Sequence, residues 1–227
     1  MTMEFIDIVF YIAEIIGIVA FAISGAMIAI DRGLDLFGVV FLTVINSFGG
    51  GIMRDIIIGE IPPKMFYSFE YLLYAGSCAV IVMIVAAVLK DKFFRNRVAI
   101  DRFINVFDAV GLGTFAIVGV RAGITAGYGD NVFLCIFLGM TTGIGGGILR
   151  DLLSREKPLV LVKQIYAIAA IFGAIVYYYM QKFDINYTVS IIIPVALVVI
   201  IRVLAAHFRW DLPKVGGKSD AYNKEHK

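Results

Sequence analysis

Charged residues are scarce in this sequence: Asp, Glu, Lys and Arg make up 17% of the 227 residues, whereas hydrophobic residues make up 60%. A soluble domain has about 25% charged residues, so the composition argues against a soluble fold. The formal net charge is only +2, which gives no reason to invoke nucleic acid.

Cysteine and histidine are rarer still, with two residues of each. Cys78 and Cys135 both lie in apolar runs, where a structural disulfide is not expected. His207 and His226 are too few and too peripheral to predict a metal site. The sequence contains no P-loop, dinucleotide-binding fingerprint, nucleophile elbow or metal-ligand cluster, so it does not indicate an enzyme.

Long apolar runs dominate the chain, and each is long enough to cross a bilayer as a helix, which takes about 20 residues. Lipid offers no partner to a free backbone amide, and strands of a barrel would alternate rather than run continuously. We therefore predict an all-α integral membrane protein: a single domain of residues 1–210 with seven transmembrane helices, followed by a polar tail, 211–227. The seven predicted spans are residues about 5–30, 36–58, 70–89, 103–121, 131–153, 164–181 and 188–206.

Basic residues predict the orientation, because cytoplasmic loops carry an excess of Lys and Arg. Seven spans put the termini on opposite sides, and the side of the C-terminus holds fifteen basic residues against four on the other side. Arg202 lies inside a span and is left out of this count. We predict a multi-pass inner-membrane protein with an external N-terminus and a cytoplasmic C-terminus and tail.

Nearly the same string occurs twice, as GGGIMRD at residues 49–55 and as GGGILRD at residues 145–151. The offset is 96 residues, and upstream GIVAFAISG (17–25) matches GLGTFAIVG (111–119) at an offset of 94. Agreement at this many positions is not expected by chance, so the chain contains an internal repeat.

Spans one to three, residues about 5–89, repeat as spans four to six, residues about 103–181, and span seven, about 188–206, is extra. Each repeat has an odd number of spans, so the two must enter the membrane in opposite directions. The sequence therefore predicts an inverted 3+3 repeat, with a pseudo-two-fold axis in the membrane plane.

The two glycine triplets allow two interpretations. Small residues let helices approach closely, whereas three consecutive glycines favour a break or kink. We expect breaks, because inverted repeats place broken helices at the substrate or ion path. The residues are Gly49, Gly50, Gly51, Gly145, Gly146 and Gly147.

Arg54 and Arg150 lie about one turn after the triplets, and each is followed by an acid, Asp55 or Asp151. They either reach the membrane interface with the acids as local partners, or line a water-filled path or hold a lipid headgroup. A charge within a span costs at least ~2.5 kcal/mol, and its symmetric repetition favours a functional role.

Weaker candidates surround these charges. Glu14 and Asp108 correspond in the repeat, and each is either a buried carboxyl bonded to Ser or Thr or an acid that couples transport. Hydroxyls near the triplets, together with carbonyls freed at the breaks, are candidate cation ligands. These hydroxyls belong to Ser24, Ser47, Thr141 and Thr142.

Two copies of GGGI(M/L)RD, each in the second helix of a three-helix repeat, with one extra helix at the end, resemble the prokaryotic TRIC family, the trimeric intracellular cation channels. The resemblance covers residues 5 to about 206. It implies a homotrimer with one pore per subunit, permeable to monovalent cations such as potassium. It also implies that broken helices two and five meet in the pore, which puts both triplets, Arg54 and Arg150 beside the path.

The resemblance leaves some properties open. Animal relatives hold a phosphoinositide through a Lys one turn before the Arg of helix five, where this chain has Gly146. No cofactor is expected, and the bilayer, monovalent cations and further copies of the chain are the expected partners, together with a different phospholipid in the groove. The same bacterial sequences have also been labelled glycine transporters, so transport of a small amino acid is the alternative function.

Overall fold

The structure is a computed structural model that describes residues 3–89, 97–162, 165–208 and 210. Within these residues there are eight α-helices and no β-strand. The predicted tail, 211–227, lies outside the described residues. The helices are α1 (Met3–Asp31), α2 (Leu36–Ile58), α3 (Phe69–Leu89), α4 (Arg97–Gly123), α5 (Val132–Leu153), α6 (Leu159–Val162), α7 (Ile165–Lys182) and α8 (Tyr187–Phe208).

Six of the described helices are long and apolar enough to cross a membrane, and they match predicted spans one to five and seven. The fourth is longer than predicted, because α4 continues into a π-helical turn, Ile124–Tyr128. Helix α7 occupies the position of predicted span six but is not among the six. The protein is therefore an all-helical membrane protein, and the seven-span count stays a prediction.

The central helices α2 and α5 begin in the same way. The carboxylate of Asp35 accepts the amide of Gly38 at 2.7 Å, and the side chain of Asn131 accepts the amide of Leu134 at 3.0 Å. Each side chain satisfies an amide that the first helical turn leaves without a partner. The two caps are 96 residues apart, so the repeat in the sequence extends to the helix starts.

The same two helices also end alike. Gly59 (φ 81°) and Arg155 (φ 59°) adopt the left-handed conformation just past the helix ends. The next residue along the chain donates its amide to the carbonyl of Asp55 or Asp151, at 2.9 and 2.8 Å. This turn terminates each helix and puts each Arg–Asp pair within about one turn of a helix end.

The glycine triplets lie where α2 crosses α5. A Cβ atom on Gly50 would collide with the carbonyl oxygen of Thr142, and one on Gly146 would collide with the carbonyl oxygen of Asn46. Asn46 of α2 thus lies opposite Gly146 of α5, and Gly50 lies opposite Thr142, so the two helices run antiparallel.

The predicted breaks at the triplets are wrong, because both helices are continuous α-helices across them. The missing Cβ atoms allow the two backbones to touch, which is the close-packing interpretation of small residues in membrane helices. The tertiary contact thus offsets the weak helix propensity of three glycines.

The remaining helices surround this crossing. Helix α1 packs against α2, α3 and α4, and α8 packs against α4 and α7. Phe21 of α1 lies against Gly111 of α4, and Phe115 of α4 lies 3.2 Å from the Cβ position of Gly17 in α1. Helices α1 and α4 are therefore also antiparallel, and the two antiparallel pairs form the centre of the molecule.

Candidate functional site

Arg54 and Asp55 form a buried ion pair near the end of α2. Arg54 is 6% exposed, and its Nε donates to Oδ1 of Asp55 at 2.8 Å. The second carboxylate oxygen of Asp55 accepts the backbone amide of Lys64 at 2.9 Å. The segment that follows α2 therefore fixes Asp55, and Asp55 orients the guanidinium of Arg54.

Arg150 and Asp151 repeat this arrangement at the end of α5. The Nε of Arg150 donates to Oδ1 of Asp151 at 2.9 Å, and Oδ2 of Asp151 accepts the backbone amide of Leu159 at 2.8 Å. In both halves the adjacent acid is the local partner of the Arg. Both Arg side chains are buried within the chain, rather than exposed at the membrane interface.

Glu14 and Asp108 have partners that the sequence analysis did not expect. Glu14 accepts a hydrogen bond from the hydroxyl of Tyr71 at 2.8 Å. Asp108 is 1% exposed, and its Oδ1 lies 2.6 Å from Nη1 of Arg150. The expectation of a Ser or Thr partner is wrong, because α3 packs on α1 and brings Tyr71 to Glu14, and α5 packs on α4 and brings Arg150 to Asp108.

We call Glu14, Arg54, Asp55 and Tyr71 the first-half site, and it faces two adjoining cavities. The smaller, about 210 Å³, also reaches Phe115, and the larger, about 400 Å³, also reaches Arg121. The charged residues that line one or both of these cavities are Asp7, Glu14, Arg54, Asp55, Lys64 and Arg121.

Asp108, Arg150 and Asp151 form the second-half site, and it faces a cavity of about 340 Å³. More acids than bases line this cavity, and the exposed pair Arg32–Glu156 lies at it with an N–O distance of 2.6 Å. Acidic walls raise the local concentration of cations. The acids are Asp31, Asp101, Asp108, Asp151 and Glu156, and the bases are Arg32, Arg150 and Lys157.

An apolar centre lies between the cavities of the two halves. Along α1, the first-half cavities extend to Ile18 and the second-half cavity begins at Ile28. Along α4, the second-half cavity ends at Asp108 and the first-half cavities begin at Phe115. In this gap the rings of Phe21 and Phe115 lie 5.3 Å apart, and Phe21 is fully buried. Both phenylalanines occur in the repeated strings at an offset of 94, but apolar residues there predicted no more than core.

Three of the four predicted hydroxyl ligands, those of Ser24, Ser47 and Thr142, donate hydrogen bonds to helix carbonyls. The hydroxyl of Ser24 and the backbone carbonyl of Phe21 both accept hydrogen bonds from Nδ2 of Asn46, at 3.1 and 2.6 Å. Ser47 donates to a carbonyl of α1 at 3.3 Å and also lines the smaller first-half cavity. Thr142 donates to the carbonyl one turn earlier in α5 at 2.6 Å, and Thr141 is partly buried beside it.

Arg202 of α8 is a functional candidate that the sequence analysis set aside. It is 2% exposed, its Nη2 donates to Oδ1 of Asn105 at 2.7 Å, and it lies 3.7 Å from Oδ2 of Asp108. Its guanidinium is also 4.5 Å from the centroid of the Tyr166 ring. The sequence does contain a signal for Arg202, because a charged residue within an apolar span is costly. Arg202 was set aside because it has no counterpart in the repeat.

These features define a class: an integral membrane protein in which buried Arg–Asp pairs and charged cavities flank an apolar centre. A family model described as glycine transporter matches the chain twice, over residues 11–89 and 105–182. The chain is 37% identical to the UPF0126 membrane protein of Deinococcus radiodurans over 71% of each chain. It is 33% identical to the UPF0126 inner membrane protein YadS of Escherichia coli K12, over 89% of this chain and 94% of YadS.

Solved structures with this fold are cation channels. A prokaryotic TRIC channel determined in 0.5 M KCl has 34% identity and a TM-score of 0.80, covering 90% of this chain and 99% of its own. A trimeric intracellular cation channel orthologue from Rhodobacter sphaeroides has 28% identity and a TM-score of 0.79, covering 89% and 99%. The chain belongs to the TRIC family, to which the family model and these relatives also correspond.

Proposed function

We propose that this protein is a potassium-permeable channel for monovalent cations, with one path per subunit of a homotrimer. One observation carries the proposal: charged cavities approach a single apolar centre from both sides. The first-half cavities lie at one end of the antiparallel pairs α1–α4 and α2–α5, and the second-half cavity lies at the other end. The TRIC channels of the same fold support a cation as the permeant species.

In this proposal seven helices span the inner membrane as an inverted 3+3 repeat plus α8, with an external N-terminus and a cytoplasmic C-terminus. Two matches to one family model support the repeat. Antiparallel contacts between equivalent helices support its inversion, since inverted repeats are related by a two-fold axis in the membrane plane.

The path runs from the first-half cavities, past the rings of Phe21 and Phe115, to the second-half cavity. In this structure the two rings lie in contact, so the path is closed at its centre. Hydrophobic constrictions gate by excluding water. Opening requires the rings to part, and the glycine triplets serve as the crossing about which α2 and α5 pack.

Carboxylates offset the two path-lining arginines. Arg54 is neutralised by Asp55 and Arg150 by Asp151 and Asp108, with N–O distances of 2.6 to 2.9 Å. The second-half cavity has an excess of acids, which favours cations over anions. These side-chain charges do not form a tight ring, so we expect weak discrimination between potassium and sodium.

Transport of a small amino acid such as glycine is the second candidate. The description of the matching family model favours it, and a path closed at its centre with a cavity on each side also fits alternating access. A transporter would give saturable exchange of substrate across liposomes, whereas a channel would give unitary currents.

The experiment that tests the proposal uses the purified full chain in liposomes and planar bilayers. Single-channel currents in a potassium chloride gradient should reverse close to the potassium equilibrium potential. Counterflow of labelled glycine is measured in the same preparation. Absence of current together with saturable glycine counterflow would replace the channel by the transporter.

A further inference from the structure

Arg202 lies 3.7 Å from Asp108 but does not line the second-half cavity. It belongs to α8, and the cavity is lined by Asn105, Asp108 and Arg150 but not by Arg202. The carboxylate of Asp108 thus lines the cavity and also lies near a buried guanidinium that does not line it. No first-half residue occupies the equivalent place among the described residues, because α8 has no repeat counterpart.

The two oxygens of Asp108 are held unequally. Oδ1 accepts a hydrogen bond from Arg150 at 2.6 Å, whereas Oδ2 lies 3.7 Å from Arg202 and has no hydrogen-bond partner among the described residues. Nε of Arg202 and the hydroxyl of Tyr166 are likewise without hydrogen-bond partners within the described part of the chain. Arg202 therefore acts on Asp108 mainly through its charge, since its short hydrogen bond goes to Asn105.

A permeant cation in the second-half cavity would reach the same carboxylate, because Asp108 lines that cavity. Five acids and three bases line this cavity, and Asp108 is the most deeply buried of the acids that reach it. An uncompensated buried carboxylate binds cations tightly, and a cation bound tightly leaves slowly. Arg202 is a tethered cation that competes for this carboxylate without leaving.

We propose that Arg202 is a specificity-determining residue that sets how strongly the second-half cavity binds a permeant cation. Its fixed charge near Asp108 weakens binding of monovalent cations enough for rapid exit and disfavours divalent cations. This inference rests on the proposed channel function.

The first arm of the test compares conductance as a function of potassium concentration for two Arg202 variants and the parent protein. Arg202→Gln keeps a donor for Asn105 and removes the charge, so the half-saturating potassium concentration should fall roughly tenfold, because a close unit charge is removed. Block by Mg²⁺ from the cavity side should strengthen by at least as much. Arg202→Lys keeps the charge and should stay within about threefold of the parent protein.

Asp108 supplies the second arm of the test, which also serves if Arg202→Gln fails to fold. Asp108→Asn leaves the charge of Arg202 unopposed and should raise the half-saturating concentration, whereas the double change Arg202→Gln with Asp108→Asn should bring it back down. The inference is overturned if folded Arg202→Gln matches the parent protein in both readouts. It is equally overturned if Asp108→Asn and the double variant have the same half-saturating concentration.

A measurement that needs no current distinguishes failure of this inference from failure of the channel function. The thermal stability of the purified full chain is compared in potassium chloride and in choline chloride of equal ionic strength. Arg202→Gln should gain a potassium-dependent rise in melting temperature that the parent protein and the double variant lack. If the parent protein carries no current in bilayers but Arg202→Gln shows this rise, the cation site is supported and the channel function is refuted. If the rise is absent, the cation site is refuted.

Discussion

The two halves of the molecule carry the same Arg–Asp pair in two different settings. In the first half Arg54 is held by Asp55 and faces two cavities, while Glu14 is bonded to Tyr71 instead. In the second half Arg150 is held by both Asp151 and Asp108. Both arginines are buried and line a cavity, but the repeated motif gives Arg54 one carboxylate partner and Arg150 two.

The largest effect should come from Arg150. Arg150→Gln leaves the carboxylates of Asp108 and Asp151 buried without their main counter-charge, and breaking such a pair costs about 3–5 kcal/mol. Arg54→Gln leaves one carboxylate beside a cavity, so its cost should be nearer 1–3 kcal/mol. The measurement is the free energy of unfolding of each purified variant in detergent.

The control for this comparison is Arg32→Gln. Arg32 pairs with Glu156, but both side chains are nearly half exposed, so the change should cost no more than about 1 kcal/mol. Equal losses for Arg54→Gln and Arg150→Gln would mean that the different partners of the two arginines have no energetic consequence.

The glycine crossing should give an intermediate effect that is equal in the two halves. Gly50→Ala and Gly146→Ala each force a methyl group onto a backbone carbonyl, and overpacking of this kind costs about 1–3 kcal/mol. Gly51→Ala is the matched control, because the nearest atom to its Cβ position, apart from its chain neighbours and the backbone of α2, is Nη2 of Arg54 at 3.8 Å. Alanine there should be neutral or stabilise by up to ~1 kcal/mol.

Melting temperatures of these three variants decide the role of the triplets. If all three alanines behave alike, the triplets do not form a close backbone contact, and the interpretation as a crossing is wrong.

The smallest effect should come from the helix caps. Asp35→Ala and Asn131→Ala each remove one side-chain acceptor at the start of a central helix, which costs about 1 kcal/mol. Because each cap side chain accepts the amide three residues along the chain, the two losses of unfolding free energy should agree within about 0.5 kcal/mol. A large loss at one cap alone would show that the halves differ at the helix starts as well as at the arginines.

The repeated strings of the sequence were enough to pair the two halves residue by residue. They predicted both Arg–Asp ion pairs, because adjacent opposite charges in an apolar helix have few other partners. The long apolar runs predicted spans one, two, three and five to within a few residues, because such runs are the strongest signal in a membrane protein, whereas the fourth helix is longer than predicted.

What the sequence could not give was which helices touch. Three glycines favour a break in an isolated helix, and only the position of Thr142 against Gly50 identifies them as a crossing. The partners of Glu14 and Asp108 likewise depend on the packing of α3 and α5. Arg202 was overlooked because an argument from repetition ignores a residue that occurs once.

In the proposed channel, the two cavity systems belong to one cation path that Phe21 and Phe115 close. Single-channel recording of Phe115→Ala tests it most directly, because Phe115 lines the smaller first-half cavity while its ring contacts Phe21. Phe172→Ala is the control, since Phe172 is 52% exposed on α7. In a potassium chloride gradient, Phe115→Ala should open several times more often than the parent protein and reverse close to the potassium equilibrium potential, and Phe172→Ala should match the parent. If folded Phe115→Ala carries no potassium current, or the same current as the parent, the ring pair does not close a cation path.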